Sequence, residues 1–223
     1  MIRQLTFDLP ARTAWRREDF FVSPANAAAL AALDDWRNWP GGKMVLCGPK
    51  GSGKTHLAKL WAAETGAAVL PAVALAGADL PALSAHGAVA VEDAEEAAGD
   101  GACEAAFFHL HNLVTQSGHL LVTATTPPRD WALALPDLAS RLQAAGLARI
   151  EAPDDALLSA VLIKLFADRQ ITVPPAVIPY MVQRMERSID AARDLVAALD
   201  ARALAEGRPI TRALAAEVLG RDG

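Results

Sequence analysis

The apolar positions along the chain follow two rhythms. Short, mainly apolar runs at 43–47, 88–91, 120–124 and 147–150, with a longer one at 67–74, have the length of buried strands. Between them apolar residues recur at three- and four-residue steps. Leu57, Leu60 and Trp61 share one face of a helix predicted over 56–65 and closed by Gly66. Phe107, Leu110, His111 and Val114 do the same over 104–117. An earlier helix is predicted over 24–36, with Ser23 and Asn26 as candidate caps. Strands alternating with helices predict an α/β fold with a parallel sheet covered on both faces. Beyond Pro153 the strand runs stop. Residues 154–168, 174–185 and 188–206 read as helices, the last closed by Gly207, and a short helix starts at Thr211. These shifts predict a tail at 1–10, an α/β domain at 11–152 and a small helical domain at 153–223.

Composition narrows the class. Apolar residues make up 52% of the 223, enough for a packed core. Lys and Arg number 21 against 26 Asp and Glu, a formal net charge of −5 that argues against coating nucleic acid through bulk positive charge. Cys47 and Cys103 are too few for a disulfide framework, and Cys47 at the end of an apolar strand reads as core. His109 and His111 are two apart on a helix and do not face each other, so they predict no metal site. No apolar run is long enough to span a bilayer, and the first ten residues lack the apolar centre of a signal peptide. The expectation is a soluble cytoplasmic protein.

One segment carries chemistry outright. Gly48-Pro49-Lys50-Gly51-Ser52-Gly53-Lys54-Thr55 fits G-x-x-x-x-G-K-[ST] in full, with a strand before it and a helix after it. Glycines let backbone N–H groups converge on phosphate oxygens, and the helix that starts here points its positive end at the same anion. Lys54 supplies a charge for the phosphates, and the Thr55 hydroxyl suits Mg²⁺. A P-loop needs a second strand that ends in acid. Among the downstream apolar runs, 88–91 ends in a carboxylate pair, Glu92 for the metal-facing position and Asp93 for the place beside the attacking water. The alternative is a solvated acidic turn, since Glu95, Glu96 and Asp100 follow closely.

With these in order, the chain resembles the DnaA/Hda family of AAA+ ATPases, most closely the short Hda-like members. Asp19-Phe20-Phe21-Val22 with Asn26 is similar to the segment that lines the adenine pocket in that family. Residues 121–128 resemble the sensor-1 strand and its double proline. Leu135-Pro136-Asp137-Leu138-Ala139-Ser140-Arg141-Leu142 resembles the arginine-finger segment, and Ala192-Arg193-Asp194-Leu195 the sensor-2 helix. The resemblance implies a P-loop AAA+ core, a parallel five-stranded sheet between helices, followed by a small all-α lid domain. It implies ADP or ATP with Mg²⁺ as cofactors, bound by residues 48–55 together with His56, Phe21, Val22, Asn26 and Arg193. It implies that Arg141 acts in trans on a neighbour's nucleotide and that Thr125 stands near the γ-phosphate; the alternative for either arginine is a surface ion pair. Glu92 and Thr125 depart from the family's usual aspartates, and Thr126 from its arginine, which implies weak intrinsic hydrolysis at most.

DnaA carries a basic DNA-reading domain after its lid. From Glu151 onward this chain has nine Lys plus Arg and eleven Asp plus Glu, so no sequence-specific DNA binding is expected. Gln4-Leu5-Thr6-Phe7-Asp8-Leu9 is similar to the peptide by which bacterial proteins dock on the sliding clamp, with Gln4, Leu5, Phe7 and Leu9 as its contacts; an ordinary edge strand is the alternative. The implied function is regulation of replication initiation, with the sliding clamp and DnaA as partners, no membrane, and self-association as a further option. Two other classes stay open: a stand-alone small P-loop ATPase or kinase, and a nucleotide-binding adaptor without hydrolysis.

Overall fold

The computed structural model describes Arg17 and residues 20–220. Five parallel strands form one sheet in the order β2-β3-β4-β1-β5. They are β1 (Lys43–Cys47), β2 (Ala68–Pro71), β3 (Ala88–Glu92), β4 (His119–Ala124) and β5 (Gly146–Arg149). The apolar runs arise because both faces are covered. Val45, Cys47, Val89, Val91, Leu120 and Val122 face one core. Met44, Leu46, Ala88, Ala90, Leu121 and Ala148 alternate with them and face the other. Helices α1 (Ala27–Asp34) and α2 (Lys54–Thr65) cover the second face. Helices α3 (Leu80–Ser84), α4 (Gly101–Val114) and α5 (Pro136–Gln143) cover the first. The chain then builds a third core from α6 (Asp155–Asp168), α7 (Val177–Val182), α8 (Ile189–Glu206) and α9 (Arg212–Leu219), around Leu162, Phe166, Met181, Val196 and Leu214.

Several elements differ from expectation, each for a local reason. The run at 67–74 is a strand only to Pro71, which ends an edge strand by lacking an N–H, and Ala72–Gly77 is a 3-10 turn. Helix α4 starts three residues early because the Asp100 carboxylate caps the N–H groups of Ala102 and Cys103. Neither Ser23 nor Asn26 caps α1: the Asn26 side chain accepts from Ser23 N and donates to the Phe21 carbonyl, each at 2.9 Å, and so shapes the preceding turn. The helix read at 174–185 shrinks to Val177–Val182, behind a Pro174-Pro175 pair that offers no N–H.

Glu104 ties two of these pieces together. Its buried carboxylate accepts from the N–H groups of Gly99 (2.9 Å), Ala134 (3.0 Å) and Leu135 (2.7 Å), fixing the segment that enters α5. Burial pushes its pKa up, but the three N–H donors prevail and hold it below the ordinary glutamate value. Glu104→Ala orphans three donors and is expected to cost about 3 kcal/mol in urea denaturation at neutral pH. Because the folded pKa is the lower one, that difference is complete above about pH 4.5. It shrinks as the pH falls through the folded pKa.

Candidate functional site

At the carboxyl end of β1 the chain leaves the sheet through Gly48, whose N–H donates to the Ala124 carbonyl at 3.1 Å. A Cβ at Gly48 would lie 2.5 Å from the Ile150 carbonyl oxygen, so the turn is packed too tightly for any other residue. Gly51 and Gly53 take φ of +68° and +104°, which folds residues 48–53 into a cradle before α2 starts. The Lys54 ammonium turns back into this cradle and donates to the carbonyls of Gly48 (2.7 Å) and Pro49 (3.0 Å). Burial lowers its pKa, while the carboxylates of Asp93 and Glu95 oppose that shift. The Ser52 hydroxyl is buried against Gly48 without a hydrogen-bond partner. A cradle of backbone N–H groups with a buried cation and a spare hydroxyl fits a phosphate chain.

The other wall is the start of α8. Ile189 N–H donates to the Gly51 carbonyl at 2.7 Å, and Ser188 lies so close that a Cβ on Gly51 would fall 1.9 Å from its hydroxyl oxygen. Ser188 also caps α8 by accepting from Ala191 N–H at 3.2 Å. Two helix starts therefore meet over a cleft of about 520 Å³, lined among others by Thr55, His56, Asp93, Glu95, Thr125 and Arg193. Arg193 is paired with Asp190 at 2.7 Å on the α8 side.

The acidic wall follows β3. Glu92 closes the strand, with one carboxylate oxygen buried and unpartnered, and Asp93 turns into the cleft at a φ of +52° while its N–H donates to Thr123 Oγ1 at 3.2 Å. Glu95, to which the sequence assigns no role, also stands in this wall. Its Oε1 accepts from both the N–H (2.7 Å) and the hydroxyl (2.5 Å) of Thr125. No sequence period signals it: β3 ends at Glu92, and the 3-10 helix at Ala94–Ala97 begins only after the left-handed Asp93.

Other expected residues lie apart from the cleft lining. Phe21 and Val22 are exposed on the turn before α1, and Asn26 is buried beneath that turn. Neighbouring Phe20 meets the His56 ring edge-on at 5.3 Å and so joins this turn to α2. Arg141 stands on α5 with its guanidinium 5.0 Å from the centre of the Phe108 ring. It shares that end of the molecule with Lys43, whose ammonium donates to the buried His111 ring at 3.2 Å. Burial first, then the Lys43 charge, push the His111 pKa down to about 4, so the ring is a neutral acceptor. Gln4, Leu5, Phe7 and Leu9 lie outside the described residues.

Comparison with known proteins now places this architecture. Domain III of the Thermotoga maritima replication initiation protein DnaA superposes with a TM-score of 0.78 at 18% identity, covering 96% of this chain and 98% of that one. AMPPCP-bound DnaA from Aquifex aeolicus superposes with a TM-score of 0.67 at 17% identity, over 83% of this chain and 64% of that one. In sequence, the chromosomal replication initiator protein DnaA of Thermomicrobium roseum is 34% identical over 141 residues. The chain is similar to DnaA in sequence over this stretch and has the AAA+ fold of DnaA domain III. That aligned stretch covers 60% of this chain and 29% of the Thermomicrobium protein, so the chain spans under a third of the relative it matches. No family model matches the chain. Among the described residues, no helix is long and apolar enough to cross a membrane.

Cys47 reports on the packing beneath the P-loop. Its thiol donates to the Thr126 carbonyl at 3.3 Å, and burial pushes its pKa up to about 11. In the folded protein at pH 8, its reaction with a disulfide reagent is expected to run at least about a hundredfold slower than in urea, followed as thiols titrated over time.

Proposed function

We propose that this DnaA-like chain is an Hda-like AAA+ regulator of replication initiation. On this reading it binds an adenine nucleotide in the cleft between residues 48–55 and α8. Lys54, the loop N–H groups and Ser52 face the phosphates, and Arg193 reaches them from the lid. Thr55 and Glu92 would hold Mg²⁺, and the buried, unpartnered Oε1 of Glu92 suits a cation. Asp93 stands where an attacking water would be placed; His56 lines the cleft, and the exposed Phe21 and Val22, on the turn that Asn26 shapes, would close over the adenine from outside it. The DnaA of Aquifex aeolicus, similar in fold, is described bound to AMPPCP, which supports a nucleotide in the same place.

One observation carries the regulatory part of the reading: Arg141 stands at the wrong end of the sheet for its own cleft. Its seat on Phe108 lies one turn of α4 from His111, whose ring meets Lys43 at the start of β1, whereas the P-loop follows Cys47 at its end. Five strand residues separate the two by about 16 Å, beyond the reach of an arginine side chain. An exposed guanidinium held over Phe108 is suited to a neighbour's nucleotide, where a planar, permanent charge stabilises a transferring phosphoryl group. The partners are then DnaA, whose bound ATP would be hydrolysed, and the sliding clamp, taken by Gln4, Leu5, Phe7 and Leu9. The working compartment is the cytoplasm. A nucleotide-binding adaptor without hydrolysis is the second reading, favoured by the bonds that tie Thr125 to Glu95.

Lys54→Ala is expected to lower ADP affinity at least about a hundredfold in calorimetry, the scale of a lost charge-assisted contact in a dry site. Unchanged affinity would remove the nucleotide from the reading. The regulatory part is tested by following conversion of DnaA-ATP to DnaA-ADP in the presence of DNA-loaded clamp. The wild-type chain should accelerate it. Arg141→Ala, and largely Arg141→Lys, should lose that acceleration, on the order of 10³-fold or more, while keeping ADP binding. A chain without residues 1–9 should fail for want of clamp. Full activity of Arg141→Ala would discard the trans role, and brisk hydrolysis by the chain alone would favour a stand-alone ATPase or kinase.

A further inference from the structure

The bond between Glu95 and Thr125 carries a consequence for what the cleft admits. Strand order places β4 between β1 and β3, so Thr125, just past the end of β4, stands between the P-loop and the acidic turn. A phosphate chain gripped by Lys54 and lengthened beyond its second phosphate has this gap to enter, because ligands of open parallel sheets lie across the carboxyl ends of the strands. Thr125 offers two donors there, its N–H and its hydroxyl. Both are given to one oxygen, Glu95 Oε1, at 2.7 and 2.5 Å. Bonds to an ionised acceptor are stronger than neutral ones, so these donors are not released freely. The other oxygen, Oε2, is buried and has no hydrogen-bond partner. The Glu95 charge is felt across the cleft, where together with Asp93 it favours the protonated Lys54 ammonium.

We propose that Glu95 is a specificity-determining residue of this cleft, which selects against a third phosphate by occupying the donors of Thr125 and by holding a fixed negative charge where that phosphate would enter. The inference rests on the nucleotide-binding reading above. A diphosphate ends before the gap and meets neither obstacle. A triphosphate must displace the carboxylate from Thr125 and bring like charge against it, a conflict that a divalent cation between the two would relieve. Charge and hydrogen bonding are separable by substitution. Glu95→Gln removes the charge but keeps an acceptor oxygen for Thr125, and Glu95→Ala removes both.

The experiment is calorimetric titration of the full chain with ADP and with AMPPCP, each with Mg²⁺ and with EDTA, for wild type, Glu95→Gln and Glu95→Ala. ADP affinity is expected to stay within about threefold of wild type in both variants, which also shows that they fold. AMPPCP affinity relative to ADP should rise at least about tenfold in Glu95→Ala and by a smaller factor in Glu95→Gln, with the larger gains in EDTA. If wild type binds both nucleotides and neither variant alters their ratio, Glu95 is a loop-shaping residue only and the inference is overturned. Should wild type bind neither, the nucleotide reading and this inference fall together. Loss of ADP binding in Glu95→Gln, with thermal unfolding unchanged, would also overturn it, because Glu95 would then serve the diphosphate itself.

Discussion

The seating of α8 on the P-loop is the contact on which the cleft depends. It consists of a hydrogen bond from Ile189 N–H to the Gly51 carbonyl and of close approaches to bare α-carbons, above all that of Ser188 to Gly51, with the Ile189 side chain against Gly53. The approach at Gly51 is available only to glycine, and so is the φ of +68° at the same residue. Conformation and packing therefore make the same demand at one position. Were α8 displaced, the cleft would lose the wall that carries Asp190 and Arg193, and the first N–H of α8 would lose its partner.

Charge is divided along the sheet in a way that follows from this seating. At the carboxyl ends of the strands lie two helix starts, with their positive ends, and the buried Lys54. They are balanced by Asp93, Glu95, Glu96 and Asp190 around the same cleft. At the amino end of β1 lie Lys43 and Arg141, with His111 held neutral between burial and the lysine charge. Lys43 donates a hydrogen bond to that ring and Arg141 covers Phe108, so among the described residues each cation has a neutral seat rather than a carboxylate. A guanidinium seated on an aromatic face keeps its hydrogen-bonding edge available, and a salt-bridged one does not.

The sheet was the most legible part of the molecule because a strand buried on both faces leaves a mainly apolar run. Four of the five strands stand within a residue or two of those runs, and the helices on them show their inner faces at three- and four-residue steps. The P-loop was equally plain, since its glycines are demanded by backbone geometry at fixed spacing. What stayed hidden was polar and non-local. Glu104 looks like any glutamate on a helix until the chain returns thirty residues later and brings Ala134 and Leu135 to it. Asp100 is a cap recognisable only once the true start of α4 is known. Asn26 has the composition of a helix cap, yet its buried side chain serves the turn before the helix.

Glu95 belongs to the same hidden class, and it explains a departure that the sequence displayed without a reason. The resemblance seen in the sequence leads one to expect an aspartate at the position of Thr125. With the backbone as it stands, an aspartate at position 125 would set a second carboxylate at hydrogen-bonding distance from Glu95, and two such groups cannot both stay ionised there without a proton or a cation between them. Threonine instead brings a donor to meet the acceptor, and its N–H adds a second. The two residues are therefore a matched pair, thirty positions apart in sequence and joined at the ends of neighbouring strands. A departure that looks like the loss of a catalytic acid is, in the folded chain, half of a bond. In this chain the carboxylate at this end of the cleft stands on the turn after β3, where it faces Thr125 across the gap between the strands.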